Sequence, residues 1–160
     1  MIDTASQRAI EDLLARYVHA IDDDRLEEWP DFFTAHGRYR ITTAENHRAG
    51  LPLCMVQADS QAMMRDRIAA LRHANIYEAQ GYRHTVSATL TKAWSPNAFE
   101  VVSNFIVVRI MHDGASMLFA SGRYIDRIVT GDGNDKQARF EDRLVILDSR
   151  RIDTLLAIPL

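Results

Sequence analysis

The chain reads as an α+β fold in which helices come first and a long antiparallel meander follows. Two patterns predict it: apolar residues at helical spacing fill the first part of the chain, and from Arg83 onward the period shortens to that of unusually long strands. Long antiparallel strands twist and coil, so the expected packing is a strongly curved, mostly antiparallel sheet wrapped around three N-terminal helices.

The first helix rests on Ile10, Leu13, Leu14, Tyr17, Val18 and Ile21, which fall at offsets of three and four and so share one face. Thr4 and Gln7 have capping-box spacing at its start. Asp22-Asp23-Asp24 marks its end, because three carboxylates suit a helix C-terminus poorly. A shorter second helix is expected over residues 26–33, with Pro30 near its start or at a break, and with Trp29, Phe32 and Phe33 facing the core. Residues 37–41 have strand character. The stretch 43–54 reads as a loop because Asn46, Gly50 and Pro52 interrupt any periodicity. The third helix begins near Asp59 or Ser60 and turns Met64, Ile68 and Leu71 inward, leaving Arg65, Asp66, Arg72 and His73 on the opposite face.

Strands are then expected over 83–94, 99–111, 116–129 and 137–148. Turns fall at Ser95-Pro96-Asn97, His112-Asp113-Gly114 and Gly131-Asp132-Gly133-Asn134, and a short final strand is expected over 152–158. In the fourth of these, Phe140, Leu144 and Ile146 alternate with Arg139, Glu141 and Arg143. Gly122 inside a strand implies a bend or a close approach. No repeat, linker or low-complexity segment divides the chain, so residues 1–160 are read as a single domain.

Composition narrows the function classes. With 47% apolar and 26% charged residues the chain is of ordinary globular type, and its net charge of -3, with Lys and Arg scattered among Asp and Glu, argues against nucleic acid. Cys54 is alone, so no intrachain disulfide framework exists. The N-terminus lacks a basic region followed by an apolar run, and no stretch approaches the roughly 20 apolar residues that span a bilayer. A cytoplasmic chain that does not engage a membrane is expected.

The chemistry concentrates between Met63 and Ser87. Asp66, Arg67, His73, Arg83 and His84 gather there, as either a catalytic cluster or a docking surface. Metal chemistry has little support: there is no HExxH, CxxC or CxH motif, one cysteine cannot supply the two thiolates of a Rieske cluster, and His73, His84 and Asp66 lack paired-histidine spacing. An acid–base site could use Asp31 and His84 to remove a proton beside a carbonyl while Tyr39 stabilises the oxyanion. Against it stands the plainer reading of His84 as a satisfied histidine at a strand start. Cys54 lies in the apolar run 51–56, where burial would keep it inert. Arg65, Asp66, Arg67, Tyr77, Tyr82, Arg83 and His84 form the alternative, a subunit interface, since Arg and Tyr are enriched where partners bind. The apolar end Leu155-Leu156-Ala157-Ile158-Pro159-Leu160 is either core or covered by a partner.

Several segments carry a resemblance. Trp29-Pro30-Asp31-Phe32-Phe33, the Arg-Asp-Arg-Ile of the third helix, Tyr82-Arg83-His84, Phe119-Ala120-Ser121-Gly122-Arg123-Tyr124 and Thr154-Leu155-Leu156-Ala157-Ile158-Pro159-Leu160 resemble the small (beta) subunits of aromatic-ring-hydroxylating dioxygenases. Among these the chain is most similar to subunits of oxygenases acting on aromatic acids, such as the terephthalate and salicylate enzymes. The resemblance covers nearly the whole chain. It departs at Gln80-Gly81-Tyr82-Arg83-His84, where many such subunits have Ser-Arg-Thr-Arg-His and only the final Arg-His is kept.

The resemblance implies a cone of the nuclear-transport-factor-2-like superfamily and a non-catalytic, structural role. It also implies a large (alpha) oxygenase subunit that carries the Rieske 2Fe-2S cluster and mononuclear iron, in a hexamer of three large and three small subunits. Electrons from NADH would arrive through a reductase. No cofactor or metal is expected in this chain.

Overall fold

The computed structural model describes residues 2–74, 78–132, 137–152 and 156–160. Helix α1 (Thr4–Asp22) is capped one residue earlier than the Thr4–Gln7 spacing suggests, because the Asp3 carboxylate accepts from the Ser6 backbone N–H at 2.9 Å. A short acidic side chain outcompetes the threonine there. The expected apolar stripe is buried except for Val18, which is partly so, and Asp24 at φ 58° turns the chain at the acidic triplet.

The second helical segment, Leu26–Phe32, is a 3-10 helix with Pro30 inside it and with Trp29 and Phe32 buried. Where only loop was expected, the five-residue helix α2 (Ala44–Arg48) forms, started by Thr43, whose Oγ1 accepts from the Asn46 backbone N–H at 3.2 Å. Helix α3 (Gln61–His73) is capped by Ser60, whose Oγ accepts from the Met63 N–H at 3.2 Å, and it buries Met64, Ile68 and Leu71.

The strands are β1 (Phe33–Thr43), β2 (Val56–Ala58), β3 (Gln80–Ser95), β4 (Ala98–Met111), β5 (Ser116–Thr130) and β6 (Ala138–Leu147). They form one curved sheet in the order β2-β1-β6-β5-β4-β3, antiparallel throughout except where β1 runs parallel to β6. Helices α1 and α3 and the 3-10 segment cover the inner face, and the core lies between them and the sheet.

Two strand expectations change. No strand forms among the described residues of 152–158; instead residues 156–160 run as an irregular tail buried in the core. In β6 the alternation slips. Asp142 pairs with Arg127 while Phe140 pairs with Ile128, so one extra residue sits between them and the phase inverts. Phe140 and Arg143 therefore point inward, and Leu144 and Ile146 lie on the outer face. At Gly122 the approach is as close as its position suggested, since a Cβ there would collide with the carbonyl oxygen of Ile146.

Candidate functional site

Alternation along β3 turns Tyr82 and His84 inward and Arg83 outward. His84 meets Asp22, the last residue of α1: Nδ1 lies 2.6 Å from Oδ1, and the His84 backbone N–H donates to Oδ2 at 2.9 Å. A carboxylate acceptor at that distance places the ring proton on Nδ1. Nε2 is buried without a hydrogen-bond partner among the described residues. Arg83 Nη1 stands 3.9 Å from the same carboxylate with its side chain 63% exposed. One carboxylate thus joins the end of the first helix to the edge strand of the sheet.

The trio Asp31, Tyr39 and His84 is not assembled. Asp31 is 67% exposed and pairs with Arg65 at 3.0 Å on the surface, because it lies on the outward side of the 3-10 segment. Tyr39 is fully buried, and its hydroxyl accepts from the Leu160 backbone N–H at 2.8 Å and donates to the Leu160 main-chain oxygen at 3.2 Å. Tyr17 Oη donates to that oxygen at 2.9 Å and accepts from Trp29 Nε1 at 3.2 Å. Each hydroxyl spends its proton on the tail, so neither is free to polarise a substrate carbonyl.

A buried ion pair lies in the interior. Arg143 forms two hydrogen bonds with Asp126, Nε to Oδ1 at 2.9 Å and Nη2 to Oδ2 at 2.8 Å, with side-chain exposures of 1% and 0%. Its guanidinium lies among the rings of Tyr17, Tyr124 and Phe140, with Cζ 4.2, 4.0 and 4.2 Å from their centroids. Burial works against the Arg143 charge, but the Asp126 carboxylate more than restores it, so the guanidinium stays protonated. Burial also pushes the Asp126 carboxyl up, and Arg143 opposes that rise. Burial holds Tyr39 and Tyr124 well above the ordinary phenol range and raises Tyr17 as well. The pair was not legible in the sequence, because an unbroken period of two assigns Arg143 to solvent.

The residues do not fit a resident metal. His73 and Asp66 lie exposed on α3 while His84 is buried against Asp22, and among the described residues no three His, Cys, Asp or Glu side chains are arranged to hold an ion. The interface residues divide as well. Arg65 and Asp66 remain on the surface of α3, and Arg67 turns inward to donate to the Leu156 carbonyl at 2.7 Å. Tyr82 and His84 are core, and Tyr77 lies outside the described residues. The run 51–56 is not a buried segment: Leu51, Leu53 and Met55 are exposed, and Cys54 is partly so. Its apolar side chains stand on a surface loop beside α2.

Comparison with known proteins shows the family. Residues 3–140 match the SnoaL-like domain family. The chain is 43% identical over 146 residues to the beta 1 subunit of the terminal oxygenase component of terephthalate 1,2-dioxygenase from a Comamonas species, covering 91% of this chain and 93% of that one. It is 41% identical, over 91% of this chain and 88% of the other, to the small subunit of anthranilate 1,2-dioxygenase from Burkholderia cepacia. A solved structure assigned as the beta subunit of an aromatic-ring-hydroxylating dioxygenase from Novosphingobium aromaticivorans superimposes with a TM-score of 0.86 at 34% identity, over 96% of both chains. With its helices on a curved mixed sheet, the chain belongs to the SnoaL-like family, among the small subunits of aromatic-ring-hydroxylating dioxygenases.

Proposed function

We propose that this chain is the structural small subunit of a cytoplasmic, multicomponent oxygenase that opens the catabolism of an aromatic acid. The observation that carries the reading is what lies between the helices and the sheet: the buried Arg143–Asp126 pair and the chain's own tail, held by Tyr17 and Tyr39. A single domain packed to this degree serves as a rigid block for assembly. The Rieske 2Fe-2S cluster and the mononuclear iron then reside in the large subunit, with NADH supplying electrons through a reductase. Three large and three small subunits make up the particle. The large subunit docks on the face formed by α3 and the start of β3. Arg65, Asp66 and Arg83 stand at its surface, with Tyr77 between them in sequence, and Arg67, Tyr82 and His84 hold its shape from behind.

Co-expression with a large subunit carrying the cluster motifs tests the proposal. The purified small chain should contain no iron and turn over no aromatic acid alone, and adding it should restore hydroxylation to a large subunit prepared without it. Stable iron in the isolated chain, or oxygenase activity that does not depend on it, would overturn the reading.

A further inference from the structure

The loop between α2 and β2 walls a cleft on the outer face of the sheet. Three hydrogen bonds fix that wall: Thr42 Oγ1 donates to the Leu53 carbonyl at 2.6 Å, the Met55 N–H to the Ile41 carbonyl at 2.8 Å, and the Leu51 N–H to the Asn46 carbonyl at 3.0 Å. A loop fastened to β1 and α2 leaves the cleft formed before anything enters it, which lowers the cost of binding. The cleft measures about 450 Å³, a size at which small-molecule sites are found.

Its lining joins two chemistries. Arg38 and Arg40 flank the inward Tyr39 on β1 and so point outward, where they line the cleft with His47 of α2. Leu51, Pro52 and Leu144 supply apolar wall. None of the described residues lining it is acidic. The carboxylate that the two arginines share is Asp142, whose Oδ2 accepts from Arg38 Nη2 at 2.7 Å and from Arg40 Nη2 at 2.8 Å. Two cations on one anion leave a positive charge unbalanced. Each guanidinium commits only Nη2 to that contact, and Arg38 is half-exposed, so donors remain for a further acceptor.

We infer that this cleft binds a small organic monocarboxylate, with its carboxylate at Arg38 and Arg40 and its apolar body against Leu51 and Leu144. The planar fork of a guanidinium matches a carboxylate, and a ring or hydrocarbon body buries the leucine side chains. A single negative charge balances the one left over. The site lies on the outer face of the sheet, away from the buried Arg143–Asp126 pair, and does not depend on the assembly role proposed above.

Calorimetric titration of the full chain with benzoate tests the site. Benzoate should bind saturably with a Kd of about 1 mM or tighter. Benzyl alcohol keeps the ring without the charge, and acetate keeps the charge without the ring. Each should bind at least about tenfold more weakly. Arg38→Gln and Arg40→Gln should each weaken benzoate about tenfold, with Arg38→Lys losing less because the charge stays. Leu51→Ser should weaken benzoate about threefold and leave acetate unchanged. Circular dichroism checks that each variant is folded, and Leu51, 49% exposed, gives a variant whose folding does not rest on the arginine pair. Several results would overturn the site: no saturation by about 20 mM benzoate, benzyl alcohol binding as well as benzoate, or binding unchanged in the folded variants. Acetate or sulfate matching benzoate would show an adventitious anion only and overturn it too. Co-purification with a large subunit tests the assembly role separately, so either can fail without the other.

Discussion

Asp22 accepts two hydrogen bonds from one residue, His84, through the ring Nδ1 at 2.6 Å and the backbone N–H at 2.9 Å. The residues are 62 positions apart, so the pair fastens the helical layer to the edge of the sheet. Asp22→Ala leaves a buried N–H without an acceptor and should cost about 2–4 kcal/mol in urea unfolding, with Asp22→Asn losing less because one oxygen remains. In the assembled oxygenase, turnover per folded particle should not change. A drop in turnover without a drop in stability would mark His84 as chemical rather than structural.

The Arg143–Asp126 pair makes a second demand. Removing either partner strands a charge in the core, so Arg143→Met or Asp126→Ala alone should destabilise by about 3–5 kcal/mol. Arg143→Met combined with Asp126→Leu should recover much of that loss, since no charge is then left buried. Denaturant midpoints of the three variants measure the difference directly.

Tyr39→Phe tests how the tail is held. It removes the acceptor for the Leu160 N–H, and its expected cost is about 1–3 kcal/mol. Tyr17→Phe should cost a similar amount, because it strands the buried Trp29 Nε1–H, although Tyr39 still donates to the Leu160 main-chain oxygen. Limited carboxypeptidase digestion should release the last residues faster from the Tyr39 variant.

Alkaline titration gives an independent check. Burial raises the phenols of Tyr17, Tyr39 and Tyr124, so the folded state resists phenolate formation. Their contribution to stability is whole below the ordinary phenol pKa of about 10 and is lost as pH rises beyond it, because only the unfolded chain ionises freely there. Phenolate absorbance from these three of the five tyrosines should therefore appear together with unfolding, in one cooperative step.

Much of this architecture can be read from side-chain periodicity. The stripe from Ile10 to Ile21 and the Met64, Ile68, Leu71 series are burial patterns, and burial is what packs α1 and α3 against the sheet. The site was less legible, because contact between distant residues leaves no local trace. Asp22 read only as part of a helix stop, although its carboxylate serves β3, and Asp31 was the carboxylate read beside His84. One extra residue between Phe140 and Asp142 was enough to reverse the reading of Arg143. The exposure of Leu51 and Leu53 also ran against expectation, since apolarity alone does not say whether a segment meets its own core or another surface.

The anchoring of Leu160 by Tyr17 and Tyr39 also bears on how the chain comes to be folded during synthesis. These contacts span 143 and 121 residues, and the parallel pairing of β1 with β6 waits on strands made just as late. Aromatic side chains placed early in translation therefore stay incompletely covered until residues 156–160 have left the ribosome. Stalled or prematurely terminated chains should expose Trp29 and its neighbours, and so become clients of chaperones or proteases. Emergence of residues 156–160 would then act as a quality gate on the chains that join the oxygenase.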